Sequence, residues 1–243
     1  MTFWNPPILF RNGLAILAVV GLMTASGAQQ DDAAERRRMV EQIDAMVAST
    51  ASSSGVARLD PRLRGAMTEV PRREFVPLEY RSAAYENEPL PVGHGQTISQ
   101  PFIVALMTEL LNLKKTDVVL EVGTGSGYQA AILSVLAADV YTIEIVPALS
   151  EIARANLERL GYTNVRTRIG DGYQGWPEHA PFDAIIVTAA ADHIPPPLIA
   201  QLRTEGRMVI PVGQMLMVLE KHADESITTK TVIPVRFVPL TRG

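Results

Sequence analysis

The spacing of apolar residues along the chain changes near residue 100. Before that point, apolar side chains recur at helical spacing from Ala33 to Val47, and the pair Asp60-Pro61 predicts the start of a second helix. The segment Val70–Pro77 contains two prolines and is predicted to be extended. After Pro101, short β-branched runs alternate with helical segments. This alternation predicts an α/β fold of the Rossmann-like type, with a mainly parallel sheet covered by helices on both faces.

The last apolar runs of the chain have no helical segment between them, so they are predicted to add antiparallel strands to the sheet. The predicted strands are Asp117–Val122, Val140–Glu144, Asn164–Ile169, Phe182–Val187, Arg207–Ile210, Met215–Leu219 and Ile227–Val238. The predicted helices are Pro101–Leu111, a segment ending at Leu136, Pro147–Leu160 and Leu198–Leu202. Trp176 and Phe182 are predicted to pack at the rim of the sheet.

The N-terminus has the pattern of a targeting segment. Arg11 precedes the uncharged stretch Asn12–Gln30, and the small residues Ser26-Gly27-Ala28 fit a cleavage site. The apolar part, Leu14–Met23, is shorter than the ~20 residues that span a bilayer. A secretory signal peptide, an uncleaved membrane tether and a start codon assigned too early are the three interpretations. The chain is therefore divided into a signal-like or anchor segment (1–30), an N-terminal helical and extended part (33–95) and a core (96–243).

Composition excludes several kinds of site. The 243 residues carry a net charge of −4 and contain no cysteine, which excludes disulfides, thiolate metal sites and cysteine nucleophiles. The acidic balance argues against a nucleic-acid partner, whose phosphates call for a basic surface. The four histidines, His94, His179, His193 and His222, share no zinc-ligand spacing, and no metal is expected.

A candidate cofactor site follows the first strand of the core. That strand leads into Gly123-Thr124-Gly125-Ser126-Gly127 and then into a helix, an arrangement predicted to present free backbone N–H groups. Glu144 ends the next strand, where a carboxylate accepts ribose hydroxyls of either NAD or S-adenosylmethionine. A tight turn that binds nothing is the plain alternative.

Two further features favour S-adenosylmethionine. Asp171, in the run Gly170-Asp171-Gly172, follows a third strand and is predicted to reach the adenine. The turn reads G-x-G-x-G rather than the G-x-G-x-x-G that suits a pyrophosphate, and the acidic Glu121 lies beside it. An acidic surrounding matches a positive sulfonium.

The chain resembles the bacterial protein-L-isoaspartate O-methyltransferases, and the resemblance runs from about Val40 to the C-terminus. The matching segments are "VPRREFVP" (70–77), "LPVGHGQTISQP" (90–101), "LEVGTGSGYQAAIL" (120–133), "GDGYQGW" (170–176), "APFDAIIVTAA" (180–190), "VIPVG" (209–213) and "VRFVPL" (235–240). "GQTISQP" together with "VRFVPL" is far more specific than the glycine turn. His94 and the signal-like N-terminus depart from the family pattern.

The resemblance implies a class I S-adenosylmethionine-dependent fold and a set of site residues. Ser99 matches the active-site serine. The implied cofactor contacts are Ser99, Gln100, Pro101, Phe102, Gly123, Gly125, Glu144, Asp171, Gly172 and Thr241. The implied substrates are age-damaged proteins whose L-isoaspartyl carboxylate is esterified and then repaired through a succinimide. The family default is a cytoplasmic protein, and nothing in the sequence demands more than a monomer.

The residues suit that chemistry. A carboxylate with a pKa around 4 is already a nucleophile at neutral pH, so the absence of a histidine beside Ser99 is no obstacle. Ser99 is expected to hold one carboxylate oxygen and aim the other, or else to cap the helix that begins at Pro101. The remaining alternatives are a methyltransferase for another substrate, an NAD-dependent oxidoreductase and a non-catalytic binder of damaged protein.

Overall fold

The structure is a computed structural model that describes the backbone of residues 1–2 and 13–242 and the side chains of residues 1–2 and 31–242. It divides into two units, Met1–Glu35 and Arg36–Gly243. The signal-like interpretation of the N-terminus rests on residues whose side chains lie outside this description, so it stays a prediction. Within the described part of the chain, no helix combines the length and the apolar character that a bilayer span requires.

The helices and strands occur in the predicted alternation. The helices are α1 (Gly13–Ser54), α2 (Pro61–Glu69), α3 (Pro101–Leu111), α4 (Tyr128–Leu136), α5 (Pro147–Arg159) and α6 (Pro196–Gln201). The strands are β1 (Leu90–Gly93), β2 (Gln96–Ile98), β3 (Val118–Val122), β4 (Asp139–Glu144), β5 (Val165–Ile169), β6 (Phe182–Val187), β7 (Leu202–Val212), β8 (Met215–Lys221) and β9 (Ile227–Pro234).

Seven strands form one sheet in the order β5-β4-β3-β6-β7-β8-β9. The pairs from β5 to β7 are parallel, and β8 and β9 add antiparallel strands at one edge. The predicted architecture is therefore confirmed. From β3 the chain first adds β4 and β5 on one side of the sheet and then adds β6 and β7 on the other side. The order of strand addition therefore reverses between β3 and β6. In open α/β sheets, ligands bind at the carboxyl ends of the strands at such a point.

Both faces of the sheet are covered by apolar side chains. One buried cluster joins Val119 of β3 and Ile186 of β6 to α3 and α4, and the other joins Leu120 of β3 to Leu198 of α6. Phe182 is fully buried, and the Trp176 ring lies 5.3 Å from the Tyr141 ring, so both predicted rim residues are packing residues. A central strand buried on both faces explains why β3 reads as a continuous apolar run.

Three sequence predictions need correction. The segment Val70–Pro77 is not extended, because a 3-10 helix covers Arg72–Phe75. Its three-residue turn places Arg72 and Phe75 on one side, and both side chains are buried. Helix α1 extends beyond the predicted helix at both ends and stops before Gly55, whose φ is 77°. Strand β7 begins at Leu202, directly after α6, and is longer than predicted.

Candidate active site

A cavity opens at the carboxyl ends of β3, β4 and β6. It encloses about 880 Å³ of empty space, part of which is open solvent. Six of the residues singled out in the sequence line it: Ser99, Gly123, Gly125, Glu144, Gly172 and Thr241. They come from six separate positions along some 140 residues of chain, and the sheet brings their segments to one edge.

The glycine turn between β3 and α4 requires glycine at its first position. Gly123 has a φ of 99°, in the left-handed region that side chains other than glycine rarely adopt. A Cβ at this position would also collide with the Thr188 hydroxyl oxygen at the end of β6. That hydroxyl donates to the Gly123 carbonyl oxygen at 2.6 Å, so the turn lies directly against the end of the neighbouring strand.

Four of the five backbone N–H groups of this turn are bonded within the protein, contrary to the sequence prediction. Those of Gly123 and Thr124 donate to the Ile143 carbonyl at 2.8 and 3.2 Å, and that of Gly127 donates to the Thr124 carbonyl at 2.9 Å. Gly125 donates its N–H to Glu144 Oε2 at 2.8 Å. Because these four donors are used within the protein, the turn offers fewer N–H groups to a pyrophosphate than the sequence predicts, which weakens the physical argument for a dinucleotide.

Glu144 is held by two backbone N–H groups at the end of β4. Its Oε2 accepts from Gly125, and its Oε1 accepts from Val146 at 3.0 Å. The side chain is almost fully buried at the cavity wall. Each carboxylate oxygen has a second lone pair, so Glu144 can still accept hydroxyl hydrogens from a ligand. The predicted acceptor at this strand end is therefore correctly placed.

A second carboxyl group lies underneath the turn. Glu121 belongs to β3, is fully buried and is the direct register partner of Thr142 in β4. Burial raises the pKa of the Glu121 carboxyl to about 8; the hydroxyl of Thr142 opposes this shift, and the charge of Glu144 adds to it. Glu121 does not line the cavity. Below about pH 8 the Glu121 carboxyl is therefore a neutral group underneath the glycine turn.

Ser99 lies in the two-residue connection between β2 and α3 and lines the cavity. The N-cap of α3 is Gln100, and within the described residues no side chain of the cap position bonds the helix. The interpretation of Ser99 as the helix cap is therefore wrong. Thr97 of β2 and Thr124 of the glycine turn line the same cavity.

The three residues that follow Ser99 do not line the cavity. Pro101 and Phe102 are buried in the apolar core, and the Gln100 side-chain amide donates to the Asn87 carbonyl at 2.9 Å. Asp171 also lies outside the lining and accepts the Tyr173 N–H at 2.9 Å, which caps a short 3-10 turn. The cofactor roles of these four residues stay predictions.

Comparison with known proteins gives the chain a family. The model of the family described as protein-L-isoaspartate(D-aspartate) O-methyltransferase matches residues 44–243. The chain belongs to this family.

Individual relatives agree with the family match. A Cupriavidus necator protein-L-isoaspartate O-methyltransferase 1 is 53% identical over 93% of this chain and 90% of its own length. A Polaromonas sp. protein-L-isoaspartate O-methyltransferase 2 is 58% identical over 84% of this chain and 99% of its own length. The family resemblance inferred from the motifs is confirmed.

Two solved structures with the family's name share the fold. A protein-L-isoaspartate O-methyltransferase superimposes with a TM-score of 0.70 and 31% identity, covering 82% of this chain and 65% of the other. A Plasmodium falciparum protein of the same name, in complex with S-adenosyl-L-homocysteine, gives a TM-score of 0.66 at 26% identity, covering 76% of this chain and 92% of the other.

Several residues in or beside the cavity were not predicted from the sequence. Thr188 directly follows β6 and lines the cavity, and the rule that ligands bind at strand ends would have found it. Tyr128 and Gln129, the first residues of α4, also line the cavity although their side chains are largely buried. Asn87, which contacts the Ser99 segment, lies in an irregular loop that gave no periodic signal.

The histidines stay outside the chemistry. His94 is the first residue of the two-residue β1–β2 turn, is exposed and has a φ of 52°. His179 and His193 are exposed, and the His193 ring contacts Asp192 at 2.6 Å. His222 bonds Thr228 at 2.9 Å. Across the described part of the chain, no group of three or more candidate ligands could hold a metal ion.

Proposed function

We propose that this protein transfers the methyl group of S-adenosylmethionine to the free carboxylate of L-isoaspartyl residues in damaged proteins and peptides. The observation that carries the proposal is that Ser99 shares one cavity with Gly123, Glu144 and Thr241. Membership of the isoaspartate methyltransferase family supports the substrate class. The cavity supports the presence of a cofactor next to the serine.

The residues fit an adenosyl cofactor. Glu144 provides fixed acceptor oxygens for ribose hydroxyls, and Gly123 lets the ligand approach the backbone closely. Gly172, also in the wall, has no room for a side chain because a Cβ would collide with Val122. Gly125, Asp171 and Thr241 complete the proposed set of contacts that determine cofactor affinity. The segment 99–102, the remaining predicted contact, is proposed to add little to that affinity, because residues 100–102 lie outside the cavity lining. The cofactor supplies an electrophilic methyl group beside a positively charged sulfur.

Catalysis then depends on alignment rather than on a base. The substrate carboxylate is ionised at neutral pH, so the site needs no base, and one carboxylate oxygen would accept the methyl group that a bound cofactor would supply. The Ser99 hydroxyl donates to the other carboxylate oxygen and fixes its direction. Positioning of this kind supplies on the order of 7–11 kcal/mol. Carboxylate and sulfonium charges cancel in the reaction, which a partly enclosed cavity favours.

The proposed product is a methyl ester, which closes to a succinimide and opens partly to normal aspartate. A protein substrate has to enter as a flexible, extended segment. The "VRFVPL" segment is a candidate edge for pairing with it. One side of this segment is already used, because the Val238 carbonyl accepts from the Ala190 N–H and the Leu240 N–H donates to the Ala190 carbonyl, both at 2.8 Å.

A methyl-transfer assay tests the proposal. Purified protein is incubated with radiolabelled S-adenosylmethionine and a peptide containing one L-isoaspartyl residue, and the same peptide with a normal aspartyl residue is the control. We expect base-labile label on the isoaspartyl peptide alone. Label on both peptides would indicate another carboxylate methyltransferase, and cofactor binding without turnover would indicate a non-catalytic binder.

We also propose that the chain stays in the cytoplasm, the family default, unless the signal-like segment works as a signal peptide for export to the periplasm or as a membrane tether. The charge and small-residue pattern of this segment support export, whereas the synthesis of S-adenosylmethionine in the cytoplasm supports the family default. Cell fractionation with N-terminal sequencing decides between them. A mature chain beginning at Gln29 establishes export, and an intact N-terminus in the soluble cytoplasmic fraction excludes it. Light scattering on the purified protein tests the proposed monomer.

A further inference from the structure

The segment that carries Ser99 is held by a side chain outside the cavity. Asn87 lies in the loop before β1 and does not line the cavity. Its Oδ1 accepts the backbone N–H of Phe102 at 2.9 Å, and its backbone carbonyl accepts the Gln100 side-chain amide at 2.9 Å. Asn87 Nδ2 also contacts Met46 Sδ at 2.9 Å. The start of α3 is therefore bonded to a residue 15 positions earlier in the chain.

This contact replaces a local helix cap. The first N–H groups of an α-helix have no partner within the helix, and a side chain at the N-cap normally accepts one of them. Gln100 occupies the N-cap of α3 but directs its amide to Asn87 instead. Asn87 accepts the Phe102 N–H in its place. The position and direction of the chain entering α3, which includes Ser99, are consequently set by Asn87.

The loop that contains Asn87 is itself anchored by a buried arginine. Arg72 Nε donates to the Ala84 carbonyl at 2.9 Å, and Nη2 reaches the Glu88 carbonyl at 3.4 Å. These carbonyls lie on either side of Asn87 in sequence. The guanidinium is fully buried and lies 5.0 Å from the centroid of the Tyr128 ring, which lines the cavity. The loop is thus fixed to the same helix that follows the glycine turn.

We propose that Asn87 is a positioning residue for methyl transfer, acting through Ser99. It does so by fixing the connection between β2 and α3 relative to the glycine turn. The inference rests on the proposed function, since it assigns Asn87 a part in that reaction. Displacement of a catalytic group by about 1 Å costs on the order of 100-fold in rate. Loss of the Asn87 side chain is therefore expected to lower kcat while leaving the cofactor contacts of the turn intact.

The test compares Asn87→Ala with Asn87→Asp and with a matched control. The aspartate keeps an acceptor for the Phe102 N–H and adds a charge that suits a helix N-terminus, so it should restore activity. Asn164→Ala is the control, because the Asn164 amide also bonds two backbone carbonyls, those of Ser134 and Ala138 at 3.0 and 3.1 Å, but lies outside the cavity lining. Each variant is measured for kcat, for KM of the isoaspartyl peptide and for Kd of S-adenosylhomocysteine.

For Asn87→Ala we expect a fall in kcat of ~10- to 100-fold with a Kd for S-adenosylhomocysteine within about threefold of wild type. Asn87→Asp should recover most of the loss, and Asn164→Ala should leave both constants unchanged. In a Ser99→Ala background, Asn87→Ala should cause little further loss, because the residue it acts through is gone. Equal losses in both backgrounds, or a kcat for Asn87→Ala equal to that of Asn164→Ala, would overturn the assignment.

Amide hydrogen exchange separates this inference from the proposed function. Faster exchange at Phe102 in Asn87→Ala, with unchanged exchange in β3, is expected whether or not the enzyme turns over. If wild type binds S-adenosylhomocysteine but methylates no isoaspartyl peptide, the proposed function fails first. If wild type is active and Phe102 exchanges equally fast in both proteins, the positioning role fails alone.

Discussion

The cavity has two sides that are stabilised in different ways. The cofactor side is held mainly by backbone groups: the N–H groups of the glycine turn donate to the Ile143 carbonyl of β4 and to the Glu144 carboxylate. The Ser99 side is held by side chains from an irregular loop and a 3-10 helix, chiefly Asn87 and, behind it, Arg72. The comparison indicates that cofactor binding depends on the backbone hydrogen bonds at the edge of the sheet, whereas alignment of the substrate depends on side-chain contacts from the loop before β1. Substitutions on the two sides should therefore separate binding from turnover.

The largest expected effect is on the cofactor side. Gly123→Ala places a side chain at a φ of 99° and against the Thr188 hydroxyl, so the turn has to shift. We expect the affinity for S-adenosylhomocysteine to fall by at least ~100-fold, because backbone strain and lost contacts with the ligand both weaken binding. Titration calorimetry measures it.

Gly65→Ala is the matched control for that variant. Gly65 lies inside α2, and a Cβ there would meet no atom within 4 Å. Alanine is the better helix former, so the free energy of unfolding should rise by ~0.5–1 kcal/mol with unchanged cofactor affinity. Weak binding in both variants would mean that the loss does not arise in the turn.

The second prediction concerns the opposite side. Ser99→Ala removes the hydroxyl that aims the substrate carboxylate, and kcat should fall by on the order of 100-fold. The Kd of S-adenosylhomocysteine should change by less than about threefold, since the turn and Glu144 are untouched. Ser99→Thr keeps a hydroxyl and should retain more activity than alanine. Unchanged turnover of Ser99→Ala at saturating peptide would remove Ser99 from the mechanism.

The third prediction returns to the cofactor side with a smaller change. Glu144→Gln replaces one acceptor oxygen by an amide NH₂, which then faces the N–H of either Gly125 or Val146. We expect the affinity for S-adenosylhomocysteine to fall by ~10- to 30-fold, the value of a charged hydrogen bond. The kcat at saturating cofactor should stay near wild type. A fall in kcat alone would contradict the division between the two sides.

The last prediction concerns the stability of the fold and its dependence on pH, and it involves a residue outside the cavity lining. The folded pKa of Glu121, about 8, is above the unfolded value, so the folded state holds an extra proton between about pH 4.5 and 8. The stability contributed by this proton is present at low pH and is lost as pH rises through that interval. Glu121→Gln carries no such proton and imitates the neutral acid.

Thermal unfolding at several pH values checks this prediction. Glu121→Gln and wild type should unfold alike near pH 4, and wild type should lose stability relative to the variant as pH rises, by on the order of several kcal/mol at pH 9. Glu178→Gln is the exposed control and is measured at the same pH values. A pH-independent difference in stability between Glu121→Gln and wild type would contradict the raised pKa.

The cofactor side could be predicted from the sequence because its signals are local. These signals are a β-branched run, three alternate glycines and Glu144 at the end of the next strand. They are enough to predict the turn and its carboxylate partner. The same pattern could not show that the N–H groups of the turn are already bonded. That depends on how closely β4 lies beside β3, which is a tertiary property.

The Ser99 side could be predicted only as a motif. The run around Ser99 identified the family, but its pattern left open whether Ser99 aims the substrate or caps α3. The structure gives the capping bond to Asn87, which lies 15 residues before Phe102 in a loop without periodicity. The 3-10 helix Arg72–Phe75 was missed for a similar reason, since its two prolines suggested extension while burial of Arg72 decided the conformation.

Titration of S-adenosylhomocysteine into the wild-type protein and Ser99→Ala, side by side in a calorimeter, tests the central claim most directly. If the backbone turn and Glu144 bind the cofactor independently of Ser99, both proteins will bind one molecule per chain with the same Kd. Absence of any heat of binding in folded wild-type protein would contradict the cofactor site. A large loss of affinity in Ser99→Ala would contradict the separation of its two sides.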